Sequence, residues 1–255
     1  MILPIEQVLA RISPNDRVLD LGGSDRVFPR ANVVVDLLPY ESRKIVYPGH
    51  REHFTKDDWI VADFCSHRFW EQIPDKSFDF AIISHTLEDI RDPLYICEQL
   101  IRVSKAGYME APSRFRECGK LDPADTFSGY SHHRWIIDPN PECTGLIFTP
   151  KLSWAHHEDF VTNARRKYLR DYHFQFKGYF WKGSFNYIEH FPKGPPSEVR
   201  NLKFFYDRYR YTEAPAITYD LVPDSTDPRN GSCLWVNQYR LPVEQYEQGM
   251  PYDLP

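Results

Sequence analysis

Five short apolar runs in the first 112 residues constrain this chain more than any other feature of its sequence. They are mostly apolar rather than regularly alternating between polar and apolar residues, and each is shorter than a typical helix. This pattern is typical of strands that are covered on both faces, as in a parallel sheet. The runs lie at residues 18–21, 32–37, 59–63, 78–84 and 108–111.

Helical patterns lie before the first run and between the last two. Residues 5–12 place apolar side chains at i, i+3, i+4 and i+7, and Ser13-Pro14 ends that pattern. Residues 93–104 carry a similar apolar stripe, and we expect Gly107 to mark its stop. Strands that alternate with helices form βαβ units, so the predicted fold class is α/β with a doubly wound, Rossmann-like, mostly parallel sheet.

The chain after residue 112 is rich in aromatic side chains. We expect residues 113–151 to form an insertion that covers a substrate site, followed by a helix near 155–170. A strand is predicted at 172–177, where polar and apolar residues alternate, and another at 234–239. The long stretch between them, about 184–230, is predicted to make a second excursion over the site. The apolar stripe of the expected helix comprises Phe160, Val161, Ala164 and Tyr168.

Composition excludes several classes of protein. The 255 residues are 42% hydrophobic and 26% charged, which is the range of ordinary globular chains and not of disordered ones. No apolar run approaches the roughly 20 residues that cross a bilayer, and Met1–Glu6 does not read as a leader. The net charge of −5 makes nucleic acid an unlikely partner. Five cysteines without a Cys-x-x-Cys pair favour a reducing, cytoplasmic location.

Acids and glycines follow the predicted strands, where ligands bind in open parallel sheets. Asp20 with Gly22-Gly23 follows the first strand, and Asp36 ends the second. After the third and fourth come Asp63-Phe64 and Ser84-His85. An acid of this kind can instead cap a helix or form a turn, and a glycine pair can be only a tight turn.

These motifs, taken in order over residues 15–112, resemble the class I S-adenosylmethionine-dependent methyltransferases, of the type 11-like group. The segments that carry the resemblance are VLDLGGS at 18–24, Asp36, Asp63, FDFAIISHTLED at 78–89 and RVSKAG at 102–107. The chain at 155–240 also looks like the last helix and antiparallel strands of that family. The resemblance therefore implies a core at 1–112 and, at 113–255, acceptor-binding insertions plus the final elements of one compact domain.

The resemblance also implies how each motif would contact S-adenosylmethionine or its product S-adenosylhomocysteine. Asp20, Gly22 and Gly23 would hold the methionine part, and Asp36 with the adjoining Leu37 the ribose. The adenine would meet Asp63 and Phe64, while Ser84 and His85 would line the reactive end.

Two features bear on that resemblance. Residues 24–30 are short and contain Pro29, so the helix that the family has there must be brief or distorted. A nicotinamide-binding Rossmann fold is the competing interpretation, but it requires Gly-x-Gly-x-x-Gly, which Gly22-Gly23 does not supply.

The segment GYSHHRW at 129–135 is the strongest candidate for catalytic residues outside the core. A hydroxyl nucleophile must lose its proton, and a neutral histidine suits that task near pH 7. His132 or His133 is the predicted general base, with His85 as another candidate; each could instead be bonded within a loop or line a pocket. No metal is assigned, because neighbouring residues of a strand face opposite ways, although a divalent ion held with carboxylates stays open.

The predicted function is O-methylation of a hydroxyl on a sugar, glycan or sugar nucleotide. This acceptor class rests on the aromatic content after residue 112 and on histidine-rich insertions in some sugar-modifying members of the family. Another small molecule, a protein or an RNA is an alternative acceptor. A catalytically inactive methyltransferase fold that serves as an interaction module is the other alternative. The sequence leaves the oligomeric state open.

Overall fold

The computed structural model describes residues 5–24, 26–140, 144–159, 161, 166–170, 175–190, 219–221 and 233–236. The backbone divides into two compact units. The first comprises Met1–Ala111, Gly178–Phe185 and Thr226–Gly231, and the second comprises Pro112–Lys177, Asn186–Ser225 and Ser232–Pro255.

The elements are numbered in chain order. The α-helices are α1 (Ile5–Leu9), α2 (His67–Trp70), α3 (Pro93–Val103) and α4 (Arg114–Glu117), and 3₁₀ turns lie at Tyr40–Ser42, Lys56–Asp58, Ser153–His156 and Lys167–Arg170. The strands are β1 (Val18–Leu21), β2 (Val33–Asp36), β3 (Trp59–Val61), β4 (Phe78–Ser84), β5 (Ser104–Pro112), β6 (Trp135–Pro139), β7 (Gly145–Pro150), β8 (Phe176–Lys182), β9 (Asn186–Glu189), β10 (Tyr219–Leu221) and β11 (Cys233–Val236).

The sheet of the first unit confirms the predicted fold class. Its strands run in the order β8-β5-β4-β1-β2-β3, and the pairs β1–β2, β1–β4, β2–β3 and β4–β5 are parallel. β8 is antiparallel to β5, since the Gly183 amide donates to the Lys105 carbonyl at 2.7 Å while Ser113 donates to Gln175. The chain moves from β1 outward to β3 and returns to β4 on the other side of β1. The order therefore reverses between β1 and β4.

Local patterns placed the strands well because β1, β2, β4 and β5 are largely buried apolar runs, although Ile60 and Val61 of β3 are exposed. β1 and β4 have the predicted bounds, β2 and β3 are shorter than predicted, and β5 is longer. β5 is longer because it begins at Ser104, directly after α3. Gly107 lies inside β5, so the prediction that this glycine ends α3 was wrong. A Cβ at Gly107 would lie 2.1 Å from the Trp181 ring, so this glycine serves a close approach of β8.

α3 is the longest helix of the described residues, and its two ends have clear causes. The Asp92 carboxylate accepts a hydrogen bond from the Tyr95 amide at 3.0 Å, and Pro93 occupies the first turn. Its apolar face, which packs in the core, comprises Ile96, Cys97, Leu100 and Val103. At its end the Ser104 hydroxyl donates to the Leu100 carbonyl at 2.6 Å. α1 ends at Leu9, earlier than predicted, because residues 10–12 continue as tighter turns.

The second unit contains a small sheet in which β6 and β7 are antiparallel and β7 and β9 are parallel. The helix predicted near 155–170 was wrong at residues 157–159, which are not helical and follow a 3₁₀ turn. Phe160 and Ala164 of its expected stripe lie outside the described residues. β10 and β11 pair with each other in the antiparallel sense.

Two of the predicted strands are only partly covered by the structure. Residues 172–174 and 237–239 lie outside the part of the chain that is described. Gln175 precedes β8, and β8 and β11 occupy the rest of those predictions. Within the predicted excursion at 184–230, the described residues form β9 and β10. None of the described helices has both the length and the apolar character needed to span a membrane.

Candidate functional site

Asp20 and Asp36 hold the loop that follows β1. Asp20 lies in β1 and is 3% exposed, while Asp36 ends the neighbouring β2 and is 5% exposed. The Phe28 amide donates to Asp20 Oδ2 at 2.7 Å, and the Ser24 amide donates to Asp36 Oδ2 at 2.8 Å. Asp36 Oδ1 also accepts from the Leu38 amide at 2.8 Å. The two acids therefore shape one loop between adjacent parallel strands.

Burial perturbs the ionisation of Asp20. Loss of solvation raises its pKa to about 7; the hydrogen bond from Phe28 opposes this rise, and the negative charge of Asp36 adds to it. Among the described residues, only Phe28 donates to its carboxylate, and that bond uses Oδ2. Asp20 Oδ1 can therefore accept from a bound ligand, and a cation there would favour the ionised form.

The loop after β1 has no room for side chains at its glycines. Gly22 has φ +72°, and a Cβ on it would lie 2.4 Å from Thr86 Oγ1, which itself bonds the Gly22 carbonyl at 3.3 Å. A Cβ at Gly23 would lie 3.1 Å from Asp20 Oδ2. Residues 26–30 contain no helix, so the helix expected to be brief or distorted is absent from the described part of this loop.

The residues predicted to contact the adenine and the ribose differ in their burial and in their bonding partners. Asp63 is partly exposed and forms an ion pair with Arg91 of the loop after β4, at 2.8 Å, and also accepts from the Cys65 amide at 2.9 Å. Phe64 is buried with 5% exposure, whereas Leu37 is 65% exposed. Asp63 thus lies beside an arginine that the sequence analysis did not predict.

Ser84 ends β4 and His85 follows it, beside a buried acid of β5. His85 Nε2 lies 2.9 Å from Glu110 Oε1, and Ser84 Oγ donates to the same oxygen at 3.4 Å. The Tyr108 hydroxyl donates to Glu110 Oε2 at 2.8 Å. On the other side of the ring, Nδ1 lies 3.6 Å from Glu88 Oε1, an ion-pair distance that is too long for a hydrogen bond.

The two acids beside His85 favour its protonated form. Burial alone would lower its pKa, but the hydrogen bond to Glu110 and the charges of Glu110 and Glu88 outweigh that effect and raise the pKa to about 9. An imidazolium has no lone pair and cannot accept a proton. The backbone of His85 has φ +53°, a conformation that non-glycine residues rarely adopt. These features favour a binding role for His85 over that of a base.

In the second unit, His133 belongs to a buried charged network. Its Nδ1 lies 2.6 Å from Glu117 Oε1, and Lys151 Nζ donates to Glu117 Oε2 at 2.7 Å. Lys151 Nζ also donates to the carbonyls of Ser128 and Tyr130, at 3.1 and 3.0 Å. Burial alone would raise the pKa of Glu117, but the hydrogen bond from His133 and the charge of Lys151 keep it below its ordinary value. Glu117 is therefore an anion that orients the His133 ring.

The second predicted histidine lies beside this network. His132 is exposed, and its ring centroid is 4.6 Å from that of His133, edge to face. The expectation that these side chains face opposite ways was wrong, because residues 131–134 form a turn and coil rather than a strand. The Tyr130 ring lies 4.5 Å from His133, and the Arg116 guanidinium lies 4.3 Å over Tyr130.

Several site residues were absent from the sequence analysis. Glu110, Glu117 and Lys151 look like ordinary surface charges in the sequence, and only burial reveals them. One signal was available for Glu110: it is an acid within an otherwise apolar strand, directly before Ala111 and Pro112. No such pattern marks Lys151, which is 34 positions from Glu117.

Comparisons with known proteins find similarity in structure but not in sequence. No family model and no curated protein matches the chain. Solved structures match part of it, and three of those named are S-adenosylmethionine-dependent methyltransferases.

Three of these structures illustrate the identities, coverages and TM-scores of the matches. A methyltransferase from Archaeoglobus fulgidus is 20% identical over 43% of this chain and 50% of its own, with a TM-score of 0.31. The N-terminal domain of EvdMO1, solved with S-adenosylhomocysteine and D-fucose, is 18% identical over 53% and 57%, with a TM-score of 0.32. The [4+2]-cyclase SpnF is 16% identical over 43% and 44%, with a TM-score of 0.33. The chain spans about half the length of these structures, and likenesses this low carry no argument about its function.

Proposed function

We propose that the first unit binds S-adenosylmethionine and that the chain is a methyltransferase. The observation that carries this proposal is the position of Asp20 and Asp36. Both are buried acids at the carboxyl ends of adjacent parallel strands, beside the point where strand order reverses. In such sheets that edge is where ligands bind.

The residues present fit this cofactor. Asp20 Oδ1 is placed to accept from an ammonium group, and each oxygen of Asp36 has one amide donor, which leaves lone pairs for ribose hydroxyls. Gly22 and Gly23 would let the backbone approach the methionine part, Asp63 with Phe64 would contact the adenine, and Leu37, Ser84 and His85 would complete the pocket. When bound, the cofactor supplies an electrophilic methyl carbon on a sulfonium.

We further propose that His133 is the general base for an acceptor hydroxyl. With Nδ1 directed to the Glu117 carboxylate, the neutral ring carries its lone pair on Nε2. Lys151 keeps Glu117 ionised, and Glu117 in turn stabilises the imidazolium that forms when the proton is taken. Glu117 is thus a positioning residue and His133 the catalytic one, whereas the adjacent His132 is exposed.

The proposed acceptor is a hydroxyl of a sugar, glycan or sugar nucleotide. Tyr130 and the histidines next to it supply the flat faces and polar edges that bind a polyhydroxy compound. Transfer would then require only alignment of the hydroxyl with the methyl carbon and removal of its proton.

Calorimetry with S-adenosylhomocysteine tests the cofactor proposal. We expect the wild-type chain to bind and Asp36→Asn to bind about tenfold more weakly or worse, since an amide replaces a charged acceptor of ribose hydroxyls. The exposed Asp57→Asn is the matched control and should bind as the wild type does. A folded wild-type chain that does not bind would rule out the enzyme and favour an interaction module.

Turnover against a panel of sugars with labelled cofactor tests the base. His133→Ala should lower kcat by about 100-fold or more while affinity for S-adenosylhomocysteine is kept. His132→Ala is the matched control and should retain most activity. Glu117→Gln should lower kcat and change its pH profile, because the amide no longer fixes one tautomer. Equal activity of His133→Ala and wild type would remove the assignment.

A further inference from the structure

Arg116 is a buried cation for which no acid of the described residues provides a partner. It lies in α4 with 6% of its surface exposed, and within that part of the chain only its backbone amide donates a hydrogen bond, to Ser113 Oγ at 3.1 Å. Its Nε is completely buried and unbonded, and no carboxylate of the described residues forms an ion pair with its guanidinium. The ring of Tyr130 lies beneath it at 4.3 Å.

An arginine stays charged at any accessible pH, so its burial requires compensation. Buried charges in folded proteins are nearly always paired or hydrogen-bonded. Contact with an aromatic face compensates only in part, because the ring offers no hydrogen-bond acceptor in the plane of the guanidinium. Among the described residues, the guanidinium of Arg116 therefore has no anion that offsets its burial.

The acids of α4 and β6 are already engaged elsewhere. Glu117, next to Arg116 in the chain, bonds His133 with one oxygen and Lys151 with the other. Asp138 of β6 accepts from Arg114 Nε at 2.7 Å and from a second nitrogen of the same guanidinium. Neither acid is placed to serve Arg116, so no carboxylate of the described residues supplies this anion, and the site is open to one from a ligand.

The position of Arg116 connects it to the proposed base. Tyr130 lies under the guanidinium, and the same ring packs against His133 at 4.5 Å and an interplanar angle of 31°. An anion that binds Arg116 would therefore hold the rest of its molecule near the imidazole. The planar fork of arginine suits the paired oxygens of a carboxylate or phosphate.

We propose that Arg116 binds an anionic group of the acceptor, so that the substrate is a hydroxylated compound bearing a carboxylate or a phosphate. This inference rests on the proposed function, because it takes His133 as the base. Sugar acids and sugar phosphates share this chemistry, whereas neutral sugars lack it.

Calorimetry without cofactor tests the site directly. The probes are glucuronate and glucose 6-phosphate, with glucose as the neutral comparison and inorganic phosphate as the minimal anion. We expect the wild-type chain to bind at least one anionic sugar and inorganic phosphate, and glucose about tenfold more weakly or not at all. Arg116→Met should lose about tenfold or more of the affinity for the anions, and Arg116→Lys should fall between the two.

The matched control is Arg134→Met, which removes the same charge from an exposed arginine of the same unit. It should bind the anions as the wild type does; an equal loss in both variants would mean diffuse attraction and overturn the proposal. Unfolding of the ligand-free variants supplies a second test. Arg116→Met should be as stable as the wild type or more so, because an unpaired buried charge is replaced by an apolar chain of similar length. A large fall in its melting temperature would reveal a structural partner and overturn the proposal.

The outcomes separate this inference from the proposed function. Binding of S-adenosylhomocysteine without binding of any anion would end the inference and leave the methyltransferase proposal standing. Binding of anions that Arg116→Met abolishes, without binding of S-adenosylhomocysteine, would support the site and end the methyltransferase proposal.

Discussion

A buried carboxylate next to a second carboxylate resists ionisation, and Asp20 is in that situation beside Asp36. Glu117 shows the opposite shift of its pKa. Glu117 is equally buried, yet a histidine and a lysine bond it, and its pKa is lowered rather than raised. Asp20 has one amide donor, and its pKa is raised to about 7. Among the described residues no cation pairs with Asp20, as expected of an acid that binds a cationic ligand group.

The pKa of Asp20 predicts a pH-dependent stability. The folded state binds a proton up to about pH 7, whereas the unfolded state releases it near the ordinary value of 3.8. The contribution of Asp20 therefore falls as pH rises through that window. Asp20→Asn keeps an acceptor for the Phe28 amide, so we expect it to be more stable than the wild type at pH 8, by on the order of 3 kcal/mol, and similar at pH 4.

Urea unfolding of both chains across this pH range measures the difference. The exposed Asp57→Asn should follow the wild type at every pH. An unchanged slope of stability against pH in Asp20→Asn would show that Asp20 ionises normally. The same variant should bind S-adenosylhomocysteine more weakly, so a gain in stability would accompany a loss of binding.

At the scale of elements, the loops after β1 and β4 depend on each other. Gly22 follows β1 with a positive φ, and Thr86 of the loop after β4 occupies the space of a Cβ there while bonding the Gly22 carbonyl. His85, directly before Thr86, also has a positive φ and donates its amide to the Glu110 carbonyl at 2.8 Å. Backbone strain thus occurs where two strand ends meet, which is typical of ligand sites.

Gly22→Ala should destabilise the protein by about 1–3 kcal/mol, because the methyl group meets Thr86 and the backbone is left-handed. Chemical denaturation measures this change. The double variant Gly22→Ala/Thr86→Ala should recover only part of the loss, because it removes the collision and keeps the strain. Gly49→Ala is a useful control: Gly49 also has a positive φ, of +78°, but no atom lies within 4 Å of its added Cβ. Equal losses at both glycines would show that the contact with Thr86 is unimportant.

At the scale of the whole molecule, the first unit is discontinuous in sequence. Its sheet takes strands β1 to β5 from the first part of the chain and residues 178–182 from beyond most of the second unit. The Trp181 ring lies over Gly107, and Phe180 packs on Tyr108 with ring centroids 4.6 Å apart. The core that the sequence analysis bounded at residue 112 is therefore completed by a later strand.

A fragment of residues 1–112 should accordingly fail to fold as the full chain does. It would expose the β5 edge and the apolar faces that Phe180 and Trp181 cover, and such edges associate. We expect aggregation and no binding of S-adenosylhomocysteine, as judged by size-exclusion chromatography and calorimetry. A monomeric fragment that binds as tightly as the full chain would contradict this. A longer fragment of residues 1–190 is the control, since it retains β8.

The sequence alone determined the parallel core and the acids at the carboxyl ends of its strands, because apolar runs and the residues that follow them are local patterns. Only the tertiary structure decided which charges are buried and with what partners. The Glu117–His133–Lys151 network and the Glu110–His85 contact join residues that are far apart in the chain, and sequence spacing does not encode these contacts. Nor does it encode the burial of Arg116. Burial turns an ordinary charge into a costly one that needs a partner, and burial is a property of the folded chain.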